Sequence, residues 1–439
     1  MAAQTLNREI LRLAVPALGA LVAEPLFLIV DAALVGHLGV VPLAGLGIAA
    51  AVLQTIVGLM VFLAYSTTPA VARRFGAGDH TSAVRAGIDG LWLALGLGAL
   101  LAVVGSALTP ALVSMFGASP DVAEQAKIYL QLSMWGLPAM LIVFAATGLL
   151  RGMQDTVTPL WIAGVGFAAN ALLNWLFIYG FGWGIAGSAA GTVAAQWGMV
   201  GAYALVIGRL ARRHSASVLP QRDGVRGSAR SGGWLFLRTV SLRVALLATV
   251  AVATGLGTTE LAGWQVAFTI FSTAAFALDA LAIAAQALIG RGLGAGDEAF
   301  VRRVVGRTVA WGVWFGIAVG AVIAALSGVI GIVFTGDPAL AALIQPALLV
   351  LAVAQPLCGA VFVLDGVLMG AGDAKYLALA GLLNLLPYAP ALWIVAVLAP
   401  AGSWGLCVLA ICFFGVYMLA RLGTLGWRVR RPQWLHVQV

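Results

Sequence analysis

Runs of twenty or more apolar residues follow one another from residue 11 to residue 427, with no polar stretch long enough to form a separate aqueous domain. A run of that length matches the hydrocarbon thickness of a bilayer, so the chain is constrained to fold inside a membrane. Composition agrees, with 62% of residues hydrophobic and 9% charged, far from an ordinary soluble domain. Soluble enzymes and nucleic-acid binders are thereby excluded. The net charge of +8 (24 − 16) would suggest nucleic acid in a soluble chain, but here the arginines lie in short loops between apolar runs and report topology.

Breaking the chain at Gly, Pro and charge clusters predicts twelve spans. In the first half they fall near 10–36, 44–70, 87–115, 125–150, 158–180 and 185–208, and in the second near 235–257, 261–290, 306–334, 340–368, 376–399 and 403–426. All are expected to be helices, because backbone groups cannot stay unpaired in hydrocarbon and a closed barrel would show shorter, alternating segments. The run that follows Arg8 and Arg12 is too long for a signal peptide and contains Glu24 and Asp31, so it reads as a retained first span.

The basic residues test the count. Of 24 Lys and Arg, 22 fall on one side of this topology; only Lys127 lies opposite and Arg243 lies within a span. By the positive-inside rule both termini are cytoplasmic, in a multi-pass protein of the cell's inner (plasma) membrane.

Sliding the chain against itself by 218 residues pairs Arg73 with Arg291, Gly76-Ala77-Gly78-Asp79 with Gly294-Ala295-Gly296-Asp297, Arg85 with Arg303, Pro120 with Pro338, Pro138 with Pro356 and Asp155 with Asp373. Charged and Pro pairs in constant register mark a duplication. Each repeat holds an even number of spans, so both have the same orientation. The expected fold is an all-α integral membrane protein of twelve transmembrane helices in two pseudo-twofold related six-helix bundles, residues 1–208 and 235–439. A flexible linker rich in Arg, Ser and Gly joins them at 209–234, read as a solvated connector, with contact to anionic lipid as the alternative. Transporters of this kind place substrate between the bundles.

Ionisable residues inside a span cost about 2.5 to 3.5 kcal/mol each at a helix centre, so they are the best functional pointers. Asp31 leads, with no basic residue within a helical turn and a position roughly 10 Å outward of the first helix's centre. Low dielectric disfavours a carboxylate's charged form, so protons can load and unload it; the alternative is a structural acid bonded to a neighbouring helix. Glu24 lies on the same face one heptad earlier, and Pro25 removes an N–H from the helix ladder, predicting a bend there. Asn170 and Asn174, spaced i, i+4, share one face of the fifth span, with Thr192 on the sixth. Such groups either hold a carboxylic acid or glue helices together.

In the second half Asp279 and Asp365 lie within spans, and the repeat positions opposite them are Val61 and Thr147. Arg243 either snorkels to the interface or meets an anion. With Glu24 and Pro25, these residues (Thr147, Asp279, Asp365 and Arg243) are the substrate-cavity candidates. Asp89 is expected to pair with Arg85 four residues earlier. Cys358, Cys407 and Cys412 have no metal-ligand or disulfide spacing, and the histidines lie in loops or tails. No cofactor, resident metal or catalytic residue is expected, and no P-loop or nucleophile elbow occurs.

Twelve spans in two parallel sets, Pro25 in the first helix, an acid before Val35-Gly36-His37-Leu38-Gly39 and Arg151-Gly152 after the fourth span together resemble the multidrug and toxic compound extrusion (MATE) family. Glu24-Pro25-Leu26 running to Asp31, with Asp365-Gly366 before Gly370-Ala371-Gly372-Asp373, looks most like its DinF branch. The resemblance implies a secondary antiporter that exports organic, cationic or amphipathic small molecules against protons or sodium. Asp31 then matches the family's first-helix coupling acid and Asn170 its fifth-helix asparagine. Asn174 falls where many members have an aspartate, and Thr192 matches the sixth-helix threonine. One acid fewer makes the site less like a two-carboxylate sodium site and favours protons. The partners expected are a small-molecule substrate and the lipid bilayer, with no nucleic acid and a monomeric chain. Related plant proteins export citrate, so an organic-anion exporter using Arg243 is an alternative; a lipid-linked precursor flippase and a non-transporting scaffold or channel are others.

Overall fold

A computed structural model describes residues 2–334 and 338–437. Its spans, in chain order, are α1 (Thr5–Gly36), α2 (Val40–Gly76), α3 (His80–Ser114), α4 (Pro120–Met134 with Leu137–Gly152), α5 (Val157–Gly180), α6 (Gly184–Arg213), α7 (Arg222–Leu256), α8 (Thr258–Gly294), α9 (Glu298–Gly331), α10 (Leu340–Gly370), α11 (Ala374–Leu398) and α12 (Ser403–Arg430). The two parts of α4 meet at 48°, just before Pro138, whose missing N–H breaks the ladder. The helix assignment of α1 runs unbroken through Pro16 and Pro25.

Several helices start earlier than the apolar pattern predicts: α3 at His80, α9 at Glu298 and α7 at Arg222. Hydropathy registers only the part of a helix inside hydrocarbon, whereas these extensions carry charged residues that suit a helix in water. The first turns of α3 and α9 are capped. Asp79 accepts from the Ser82 N–H at 2.9 Å and Asp297 from the Phe300 N–H at 2.7 Å, each after a glycine of positive φ (Gly78, +81°; Gly296, +69°). Asp79 lies outside the spans, and these hydrogen bonds hold its carboxyl below the usual range.

The chain divides into two compact units, Arg12–Gly232 and Met1–Leu11 with Gly233–Val439. Residues at the start of the chain belong to the second unit because Arg291 pairs with Glu9 at 2.8 Å and Arg307 Nε donates to Asn7 at 2.7 Å. Within the first unit α4 is central, packing on α2, α3 and α6, while α5 packs on α6. The second unit repeats this six helices later: α10 packs on α8, α9 and α12, and α11 on α12.

The duplication extends to atomic contacts. A methyl group added at Gly98 would lie 2.5 Å from Pro138 Cα, and one at Gly316 would lie 2.7 Å from Pro356 Cα. Likewise Gly148 abuts the Ala64 carbonyl and Gly366 the Ala282 carbonyl, at 2.7 and 2.6 Å. All four pairs keep the offset of 218. Hydrocarbon offers no hydrophobic drive between helices, so such backbone-close seams of small residues hold each unit together.

Between α6 and α7 only residues 214–221 are non-helical; the Ser/Arg/Gly-rich stretch beyond them is the first part of α7 rather than a coil.

Candidate functional site

Four of the polar residues singled out in the sequence converge in the first unit. Asp31, on α1, is 4% exposed. Its Oδ1 accepts from Asn174 Nδ2 at 2.8 Å and from the Ser188 hydroxyl at 2.5 Å, and its Oδ2 accepts from the Tyr129 hydroxyl at 3.1 Å. Asn174 Nδ2 also lies 3.1 Å from Asn170 Oδ1, and Asn170 Nδ2 donates to Thr192 Oγ1 at 3.0 Å. All six side chains are buried.

Helical spacing builds this arrangement. Asn170 and Asn174 stand one turn apart on α5, and Ser188 and Thr192 stand one turn apart on the facing side of α6. Small residues bring the helices together: Gly187 abuts the Phe177 and Ile178 backbone, and Gly191 abuts Asn174. Just after Asn174 the end of α5 widens into a π turn, Leu176–Gly180, whose Tyr179 hydroxyl donates to the Leu34 carbonyl of α1 at 2.7 Å. Phe27 of α1 stacks on Phe167 of α5 at 5.3 Å. These two contacts flank Asp31 and fix α1 against α5.

Tyr129 shares a buried cluster with Val35, Ile178, Ile185 and Ala189, so the carboxylate is set in apolar surroundings. Among the described residues it makes no ion pair. Two of its three donors are hydroxyls, and a hydroxyl can turn from donor to acceptor without moving its oxygen. The site can therefore hold Asp31 as a carboxylate or as an acid with the same heavy-atom positions.

The remaining candidates lie apart from this group. Thr147 shares a hydrogen bond with Tyr203 at 2.9 Å, and Tyr203 sits in a different buried cluster, with Val71, Val84 and Leu149. In the second unit Asp365 is buried and pairs with two arginines, Arg238 of α7 and Arg421 of α12, the latter at 3.1 Å. Arg421 also lies over the Phe362 ring at 6.0 Å. Asp279 is half-buried on α8, and Arg243 is exposed on α7. Pro25 is half-buried, and the Glu24 side chain lies outside the described residues. Asp89 accepts from the Gln221 backbone N–H at 2.8 Å; no ion pair joins it to Arg85.

Sequence reasoning missed Tyr129 and Ser188. The i, i+4 relation of Ser188 to Thr192, mirroring the asparagine pair, is a signal that could have found the serine. Tyr129 carries none, lying 98 residues from Asp31 in sequence.

Comparison with known proteins places this geometry in context. The MatE family model matches residues 16–176 and 236–391. The chain is 31% identical to a probable multidrug resistance protein NorM of Pseudomonas putida, over 97% of this chain and 95% of that protein. It is 28% identical to DNA damage-inducible protein F of Escherichia coli, over 66% of this chain and 64% of that protein. Among solved structures, the Vibrio cholerae MATE transporter VcmN in its bent form superposes with a TM-score of 0.88 at 22% identity, covering 98% of this chain and 97% of that one.

Proposed function

Since this chain belongs to the MATE family, and is therefore a multi-pass membrane transporter of small molecules, we propose that it is a secondary antiporter that exports organic cations or amphipathic compounds in exchange for protons. Asp31 is the coupling group. The observation that carries this reading is a buried carboxylate met by three neutral donors and by no cation among the described residues. In low dielectric such a group is neutralised either by a proton or by a cationic partner, and exchanging one for the other is antiport.

Protons suit the site better than sodium. Sodium is a hard cation that needs several oxygen lone pairs, whereas Asn174 turns its N–H toward Asp31 and the two hydroxyls donate to it. A proton asks only that one hydroxyl reverse its role. Asn170, Asn174 and Thr192 hold the donor side of the site. By the distribution of arginines the termini face the cytoplasm of a plasma-membrane protein, so the proton enters from outside and the substrate leaves.

The test is flux of a fluorescent organic cation in proteoliposomes. Uptake driven by an imposed pH gradient and indifferent to sodium is the expected result; uptake that follows a sodium gradient at equal pH would overturn proton coupling.

A further inference from the structure

The chain between α6 and α7 follows an unusual course. Three side chains of α3 hold it: the Thr81 hydroxyl donates to the His214 carbonyl at 2.8 Å, Trp92 Nε1 donates to the Val218 carbonyl at 2.9 Å, and Asp89 accepts from the Gln221 N–H at 2.8 Å. Thr81 and Trp92 are separated by about 16 Å along the helix axis. Residues 214–216 still form the turn that closes α6, with Ser215 at positive φ and the Ala216 N–H bonded to the Ala211 carbonyl, and the chain then follows the flank of α3 to meet the Trp92 indole at Val218. It then turns back, reaching the level of Asp89 at Gln221 and passing so close to Asp89 at Gly224 that a side chain there would collide with the carboxylate.

The Val218 carbonyl is held by the Trp92 indole. The apolar stretch of α3 begins near residue 87, so Trp92 lies about 7 Å inside it. Val218 and Leu219 at the tip are 58% and 68% exposed. On the two rims stand Arg209, Arg212 and Arg213, ending α6, and Arg222, Arg226 and Arg230, opening α7. All six are exposed and none is in an ion pair among the described residues. Asp223 is the one acid in this stretch.

We propose that residues 209–230 form a binding surface for acidic phospholipid headgroups, with Val218 and Leu219 inserted among the acyl chains and the six arginines on the phosphates. A solvated connector would not present two large, exposed apolar side chains where its backbone is bonded to a tryptophan inside a span. The depth places the tip in hydrocarbon and the rims at the headgroups, where basic side chains gain most from an anionic leaflet and guanidinium forks fit phosphate oxygens. The inference does not depend on the coupling ion or substrate.

Two measurements on the full chain test it. In native mass spectrometry, phosphatidylglycerol adducts should exceed phosphatidylcholine adducts by about tenfold, and R212Q/R213Q/R222Q/R226Q should lower them to the phosphatidylcholine level at unchanged melting temperature. Equal adducts of the two lipids, or a preference that survives the four substitutions, would overturn the proposal. Independently of how that variant folds, an environment-sensitive fluorophore on Leu219→Cys, with Cys358, Cys407 and Cys412 replaced by Ala, should be quenched by spin-labelled lipid tails and not by aqueous iodide. Quenching by iodide would place the tip in water and refute insertion.

Discussion

The Ser188 hydroxyl reaches Oδ1 of Asp31 at 2.5 Å from the same turn of α6 that presents Gly187 and Gly191 to α5. The acid on α1 is thus held by a residue that small neighbours allow to come close. Ser188→Ala removes this donor while keeping the helix packing. A hydrogen bond to a charged group is worth about 1.5 to 3 kcal/mol, and it favours the ionised form. Without it the carboxylate holds its proton more tightly, so the pH of half-maximal exchange should move upward. The pH profile of cation flux in proteoliposomes reads this shift; an unchanged profile would show that Ser188 does not act on the acid.

Tyr129→Phe removes the donor on the other oxygen, at 3.1 Å. The ring remains in its apolar cluster, so folding should be preserved, and the profile should move in the same direction but less than for Ser188→Ala. A double variant that shifts no further than either single one would contradict independent action of the two hydroxyls.

Gly191→Ala tests the seam. Its new methyl would collide with Asn174 Oδ1 and lie 2.9 Å from the Asn174 nitrogen. Overpacking of this kind costs about 1 to 3 kcal/mol, so the variant should melt earlier in detergent and bind substrate more weakly. Gly47→Ala, where nothing lies within 4 Å, is the control and should behave like the parent protein.

In the second unit, Asp365→Asn leaves the Arg238 and Arg421 guanidinium groups without their shared carboxylate. Breaking a buried ion pair costs about 3 to 5 kcal/mol, so the expected outcome is a marked loss of thermal stability. Normal melting combined with abolished transport would instead assign Asp365 to the substrate cavity.

The spans and the duplication were legible because hydrophobic length and a constant offset of 218 are properties of the chain read in one dimension. The glycine seams show that the offset also records packing. Helix ends were less legible: Arg226 and Arg230 look like loop residues to a hydropathy scale, yet they lie on α7. In the site, Asp31, Asn170, Asn174 and Thr192 stood out because polar groups in apolar runs are costly. Ser188 did not, since a serine among Gly and Ala costs little and draws no attention. Asp365 had no visible partner because Arg238 is 127 residues away and reads as one more basic residue at the cytoplasmic end of a span. Partners that meet only in three dimensions leave no local trace.

The central claim is that Asp31 exchanges a proton for the transported cation. Its most direct test is to add a fluorescent organic cation to purified protein in weakly buffered detergent solution and record the protons released alongside the cation bound. The parent protein should release about one proton per cation, because one carboxylate provides one site. Asp31→Asn, which mimics the protonated acid, should fold and release none. Equal proton release from the Asn variant would contradict the account and assign coupling to another acid.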